Sequence, residues 1–185
     1  VRKMMDLKAL FASDKELMAI LTIIAELELP DAWLAAGTLR NYVWNALSGK
    51  PGLSDASDID VVFFDPETTY EKTQIIQEQL QAAYPSYQWE VKNQLFMHGH
   101  SPHTAPYQNA RDAISKYPER CTAIAERLKD GDLELFLPYG DDDIVNFVVQ
   151  PTPHFLADKD RMVVYHDRLK KKDWQKKWPR LQILA

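Results

Sequence analysis

The chain has 185 residues, of which 45% are hydrophobic and 26% charged, a composition typical of a globular protein that buries one sizeable core. Its formal net charge of −5 excludes a general attraction to polyanions, so any nucleic-acid surface would have to be a local patch. No apolar run approaches the roughly 20 residues of a membrane-spanning helix, and no signal peptide is visible. Because a lone cysteine, Cys121, also fits a reducing compartment, we expect a soluble cytoplasmic protein without a membrane partner.

The N-terminal part of the chain predicts a helix, a buried strand and a second helix. Ser13 followed by Glu16 predicts a capping box before apolar residues at helical spacing. The run AWLAAG predicts a buried strand that ends in a tight turn at Gly37. The segment TLRNYVWNALSG then predicts a helix that ends at Ser48 and Gly49.

The middle of the chain predicts two further strands with a helix between them. DIDVVFF is β-branched and aromatic, as strands are, and Asp65 is expected to cap a helix running from Pro66 to about Tyr84. YQWEVKN predicts the next strand. Residues 93–118, rich in aromatic side chains, histidine and proline, predict short helices and a long loop.

The C-terminal part of the chain predicts a helix through CTAIAERLK that ends at Asp130 and Gly131, a strand at LELFLP, and a short helix or turn at GDDDIVNF. A helical stretch follows from about 154 to 178. Alternating helices and strands predict an α/β or α+β fold with a mixed sheet flanked by helices. We expect one domain over 1–185, with a core at about 14–150 and the C-terminal helical extension beyond it.

Two carboxylates lie on the strand DIDVVFF. Because side chains alternate along a strand, Asp58 and Asp60 share one face, and Ile59 and Val61 face the core. Paired like charges are costly unless a cation lies between them, and a hard divalent ion such as Mg²⁺ prefers carboxylate oxygens. The pair therefore predicts a metal site for Mg²⁺ or Mn²⁺.

The upstream turn predicts an anion site. Gly37 allows a ligand to approach the backbone closely, and Thr38 adds a hydroxyl at the N-terminus of a helix, where backbone N–H groups favour phosphate. A phosphate-binding turn and a metal-binding acid pair together predict a site that aligns a nucleoside triphosphate.

This combination resembles the nucleotidyltransferase superfamily, in which a Gly-Ser-like turn precedes an acid-x-acid strand. AWLAAGTLRNYVWNALSG, SDIDVVFFD, WEVKNQLFMH, AISKYPE and LELFLPYG are similar to an uncharacterised bacterial branch of it, over roughly residues 30–180. The resemblance implies a mixed sheet flanked by helices and Mg²⁺-dependent transfer of NMP from an NTP to an acceptor hydroxyl. It leaves the acceptor open between a small molecule, an RNA and a protein.

The resemblance also implies a third acid on a neighbouring strand, for which QWEVKNQ offers Glu90, as a second metal ligand or as the base that activates the acceptor. Further nucleotide contacts are expected from neighbouring polar residues, namely Arg40 and Asn41 to phosphates, Lys92 to phosphate charge and Asn93 to sugar or base. The alternative for Glu90 is an exposed strand residue beside a lysine.

Other signals leave alternatives open. The histidines at 98, 100 and 103 match no strong zinc spacing and are interpreted as loop residues. The basic tail RLKKKDWQKKWPR predicts either a helix docked by Trp174 and Trp178 or a local RNA-binding patch. For the whole chain, the alternatives to catalysis are an inactive nucleotide-binding or regulatory member of the same fold and a purely structural interaction protein.

Overall fold

A mixed five-stranded sheet lies at the centre of the computed structural model, which describes residues 6–54 and 57–184. The strands are β1 (Trp33–Ala35), β2 (Asp58–Phe63), β3 (Gln88–Asn93), β4 (Ala125–Lys129) and β5 (Asp132–Phe136). They are arranged in the order β3-β2-β1-β4-β5. Only β2 and β3 run parallel among neighbouring strands of this sheet, which confirms the predicted mixed architecture.

Helices cover both faces of the sheet. They are α1 (Leu7–Ala12), α2 (Lys15–Glu26), α3 (Gly37–Leu47), α4 (Tyr70–Ala83), α5 (Ala110–Ser115), α6 (Asp142–Val145), α7 (Pro153–Leu156) and α8 (Lys159–Lys172). Single 3₁₀ turns occur at Gln94–Phe96, His98–His100, Arg120–Thr122 and Trp174–Lys176, and a parallel pair of short strands joins β6 (Val148–Val149) to β7 (Gln182–Ile183). Within the described ranges, none of these helices has both the length and the apolar character that crossing a membrane requires.

Alternation along the strands divides the apolar side chains between two clusters. Leu34 on β1 and Ile59 on β2 belong to the main core with α2 and α3, whereas Trp33 belongs to a smaller cluster with α5. The tail joins the main core, since Trp174 and Trp178 pack against the buried Trp44 ring at centroid distances of 5.7 and 5.1 Å. The docking of the tail by its two tryptophans is therefore confirmed, but both follow α8, at and after a 3₁₀ turn, and do not lie on one face of a helix.

The helix predicted through CTAIAERLK is wrong. After one 3₁₀ turn, this segment forms β4, which pairs with β5 as an antiparallel hairpin. Asp130 and Gly131 adopt φ values of 53° and 82°, the paired left-handed conformation of a two-residue hairpin turn. The Asp-Gly dipeptide thus closes a hairpin and does not end a helix.

Two predicted helix starts are also wrong. Asp14, not Ser13, caps α2, because its carboxylate accepts the backbone N–H three residues later at 3.0 Å. Thr69 caps α4, while Asp65 accepts hydrogen bonds within the preceding turn. The helical stretch predicted over 154–178 is divided into α7, α8 and a 3₁₀ turn.

Candidate functional site

A cleft of about 820 Å³ opens between the β2–β3 edge of the sheet, the start of α3 and the C-terminal helix α8. Pockets for small molecules span about 300–1,000 Å³, so this cleft is large enough for a nucleotide. It brings together seven of the residues that the sequence predicts as site residues: Gly37, Arg40, Asn41, Asp58, Asp60, Glu90 and Lys92.

Three carboxylates share the sheet side of the cleft. Asp58 and Asp60 flank the fully buried Ile59, so both project away from the main core. Glu90 is paired directly with Asp60 across the parallel strands, which lie about 4.8 Å apart in sheets of this kind. The predicted third acid is therefore next to the predicted pair.

The electrostatics of this group favour a bound cation. Burial, together with the negative charge of Glu90, raises the pKa of Asp60 to about 6, and the charge of Arg40 opposes that rise. A cation bound by Asp60 and a neighbouring carboxylate would relieve the repulsion and offset the cost of burial. Carboxylate oxygens are also the donors that Mg²⁺ takes, so the residues present fit such an ion.

The turn before α3 is shaped around Asp60. Ala36 adopts φ 55°, and a Cβ on Gly37 would lie 3.1 Å from the Oδ2 atom of Asp60, so a larger residue would displace that carboxylate by a few tenths of an ångström. The Thr38 hydroxyl donates to the Asp58 carbonyl at 2.9 Å and accepts the Asp60 N–H at 2.8 Å. The Thr38 N–H also donates to Asp60 Oδ2 at 3.3 Å. The buried Thr38 therefore holds β2 against the turn, and its side chain does not line the cleft.

Arg40 forms the floor of the cleft. Its guanidinium donates to Thr122 Oγ1 at 2.8 Å and twice to Asn41 Oδ1, at 3.1 and 3.0 Å, and lies 4.2 Å from the Trp174 ring centroid. Thr122 in turn donates to Glu119, which is fully buried. Burial lowers the pKa of Arg40, and the charge of Glu119 opposes this shift. The structure thus places Arg40 in an internal network, 4% exposed.

Asn93 lies on the opposite face of β3 from Lys92. Its amide donates to the carbonyls of Asp65 and Thr68 at 2.8 and 3.1 Å, and its oxygen accepts two backbone N–H groups. The side chain is therefore committed to the loop after β2, and it does not line the cleft. Lys92, by contrast, is exposed and lines it.

The far side of the cleft comes from the C-terminal segment. Val164, Asp167, Arg168, Lys171 and Lys172 line it at the i, i+3, i+4, i+7 spacing of one helical face, followed by Trp174, Lys177 and Trp178. We call its four basic residues, Arg168, Lys171, Lys172 and Lys177, the C-terminal wall. The sequence shows this basic segment but gives no sign that it faces the acids, because roughly a hundred residues separate them.

The histidines do not form one site. His100 lines the cleft, whereas His103 is exposed and lies 2.7 Å from Asp158, the residue that caps α8. Ligand atoms of His103, Asp158 and Asp160 lie within 4.8 Å of one another, but none of these residues lines the cleft. The hydrogen bonds of Asp158 to the first turn of α8 give this group a structural role.

Comparison with known proteins decides the family. The sequence profile described as nucleotidyltransferase matches residues 22–183. The chain belongs to the nucleotidyltransferase family. The chain is also similar to a solved NMR structure that reveals a CCA-adding enzyme head domain. The two share 52% sequence identity and a TM-score of 0.92, and the match covers 100% of this chain and 97% of that one. The resemblance inferred from the sequence blocks is thus confirmed, and so is the fold.

More distant structures share this nucleotidyltransferase fold. An apo CCA-adding enzyme and the Thermotoga maritima CCA-adding enzyme in complex with tRNA both give TM-scores of 0.56, with 13% and 12% identity. The chain is covered over 98% of its length, but it spans only 43% of each of those chains. A comparison with curated protein sequences finds no match.

Proposed function

We propose that this chain is a Mg²⁺-dependent nucleotidyltransferase that transfers an NMP from an NTP to an acceptor hydroxyl. The observation that carries the proposal is the convergence of Asp58, Asp60 and Glu90 on one side of a nucleotide-sized cleft. Membership of the nucleotidyltransferase family and the fold of a CCA-adding enzyme head domain support the reaction class.

In the proposed mechanism, the acceptor oxygen attacks the α-phosphorus in line as the bond to the leaving pyrophosphate breaks. Asp58 and Asp60 would hold Mg²⁺, which would supply positive charge to the phosphate oxygens. Glu90 lies next to Asp60 and accepts the proton of the acceptor hydroxyl or completes the metal shell. Gly37 and Thr38 keep the Asp60 carboxylate at the start of α3, and the Arg40 charge beneath it favours the ionised form. Lys92 binds phosphate from the β3 side.

The proposed acceptor is a hydroxyl group on a small molecule, an RNA or a protein. The Thermotoga maritima relative was solved with tRNA, which makes RNA ends the first class to assay. The absence of a membrane-spanning helix among the described residues leads us to assay the protein in buffer without detergent.

The test compares wild type with Asp58→Asn, Asp60→Asn and the exposed control Asp132→Asn. NTP binding is measured by calorimetry with and without Mg²⁺, and turnover is measured as pyrophosphate release with pooled acceptors of each class. We expect Mg²⁺-dependent binding in wild type and control, and loss of at least about a hundredfold in turnover in both site variants, because each removes a charged metal ligand.

The two measurements separate the candidate functions. Mg²⁺-dependent NTP binding without pyrophosphate release from any acceptor would establish the inactive nucleotide-binding alternative. Equal turnover in wild type and both site variants would refute the assigned acid pair. Absence of any NTP binding would leave a structural role and end the proposal.

A further inference from the structure

The C-terminal wall lies across the cleft from the three carboxylates and has no role in the mechanism above. We propose that it binds the triphosphate of the donor nucleotide, so that the sheet side of the cleft supplies the metal ligands and α8 supplies most of the phosphate contacts. This inference rests on the proposed function, and it assigns the substrate contacts of that same site.

The charge of the cleft is the first argument. Seven lysine and arginine side chains line it against four carboxylates, although the whole chain carries a formal net charge of −5. Two of the seven, Lys116 and Arg168, are paired with the carboxylates of Asp112 and Glu119, which leaves five cations against four acids. Positive charge is therefore concentrated at the site in an acidic protein. Such a local excess selects an anionic ligand and steers it towards the cleft.

The second argument comes from the residues near the acid pair. The Thr38 hydroxyl is used between α3 and β2, the Arg40 guanidinium is bonded to Thr122 and Asn41, and Asn93 faces away from the cleft. Among the described residues that line the sheet side of the cleft, Lys92 then remains as the exposed cation. A triphosphate carries more negative charge than one lysine and the carboxylate-bound metal balance together.

The third argument is that the wall is held in place. Trp174 and Trp178 are buried against the core, and α8 turns one face towards the cleft. Arg168 donates to the buried Glu119 at 2.7 Å, which fixes its position. Within residues 6–54 and 57–184, no ion pair engages Lys171, Lys172 or Lys177, so their charges are available to a ligand.

Cations at the end of α8 also complement the helix dipole, and that role needs no ligand. Lys170, one residue before Lys171, would serve it equally, yet it does not line the cleft. Lys176 likewise is exposed, lies outside the cleft and pairs with Asp173 at 3.1 Å. These two lysines provide a matched control with the same loss of charge.

The experiment compares wild type, the wall variant Lys171→Ala/Lys172→Ala and the control Lys170→Ala/Lys176→Ala. Calorimetry measures the Kd of inorganic tripolyphosphate, of ATP and of adenosine with Mg²⁺, at low and at raised salt. We expect the wall variant to bind tripolyphosphate and ATP at least about tenfold more weakly, with a smaller salt dependence, while adenosine is unaffected. The control should stay within about twofold of wild type.

Unchanged tripolyphosphate affinity in the wall variant would overturn the inference, as would equal weakening in the control, which would indicate a diffuse field. A short single-stranded oligoribonucleotide is titrated in parallel. If the wall variant loses affinity for this strand but keeps its affinity for ATP, the wall binds an acceptor and the inference is wrong.

Failure of the inference and failure of the proposed function give different results. Pyrophosphate release with a KM for ATP that is unchanged in the wall variant would reject the wall and keep the function. Wall-dependent tripolyphosphate binding without turnover from any acceptor would keep the wall and reject the function.

Discussion

The buried Glu126 on β4 predicts how the free energy of unfolding depends on pH. It is fully buried, on the face of the sheet where Leu34 and Leu135 lie beside it in register, and neither carboxylate oxygen has a hydrogen-bond partner among the described residues. Burial raises its pKa from a usual value of 4.5 to about 8. The folded protein therefore keeps Glu126 protonated at neutral pH.

The sign of the pH dependence follows from this shift. Below pH 4.5 the carboxyl group is protonated in both states and contributes no pH dependence. Between the two pKa values the unfolded chain has released a proton that the folded protein still binds, so the free energy of unfolding falls by about 1.4 kcal/mol per pH unit. Above pH 8 the loss levels off, at up to about 5 kcal/mol for the shift from 4.5 to about 8.

Glu126→Gln removes this titration and keeps the side-chain volume. The free energy of unfolding is measured in urea from pH 4.5 to 9 for wild type, Glu126→Gln and the exposed control Glu78→Gln. Any cost of the buried amide shifts the variant's curve equally at every pH, so the difference from wild type should grow towards alkaline pH in favour of Glu126→Gln. Parallel curves for the three proteins would refute the reasoning.

Two further predictions concern the turn and the cysteine. Thr38→Val should lower the free energy of unfolding by about 2 kcal/mol in urea titrations, because it removes two hydrogen bonds to β2. Thr38→Ser keeps the hydroxyl and should retain most of the wild-type stability. Equal losses in both variants would contradict the role of the hydroxyl. Burial raises the pKa of Cys121 to about 12, so the thiol stays protonated and unreactive at mildly alkaline pH. Mass spectrometry should therefore detect iodoacetamide labelling only after the protein is unfolded. Rapid labelling of the folded protein would contradict this burial.

The sheet was predictable where local patterns agree with the fold. DIDVVFF and YQWEVKN carry β-branched and aromatic residues with clear alternation, and they form β2 and β3. β4 was missed because the alanine, leucine and charged residues of TAIAERLK also favour a helix. The deciding signal was Asp130-Gly131, whose left-handed conformation suits a hairpin turn better than a helix end.

The candidate site was predictable in part. Asp58, Asp60 and Glu90 follow from strand alternation and the resemblance, and the structure brings them together in the cleft. The predicted ligand role of Thr38 rests on the turn at a helix N-terminus, and that of Asn93 on its place beside Lys92 in the predicted strand. A sequence pattern does not show which partners a polar side chain already has in the fold, and both of these side chains are bonded internally.

Polar groups near Asp60 are bonded internally because a partly buried carboxylate needs nearby hydrogen-bond donors and positive charge to stabilise it. Asp60 is partly buried beside Glu90, so nearby polar groups are used to hold it, as the Thr38 N–H and the Arg40 charge do. Donors that already hold Asp60 in this way are less able to bind a phosphate group. The phosphate contacts that we propose come from Lys92 on β3 and from an element distant in sequence, α8, where Lys171 and Lys172 line the cleft. The acids identify the site in the sequence, whereas the fold alone shows that the basic side chains of α8 line the same cleft.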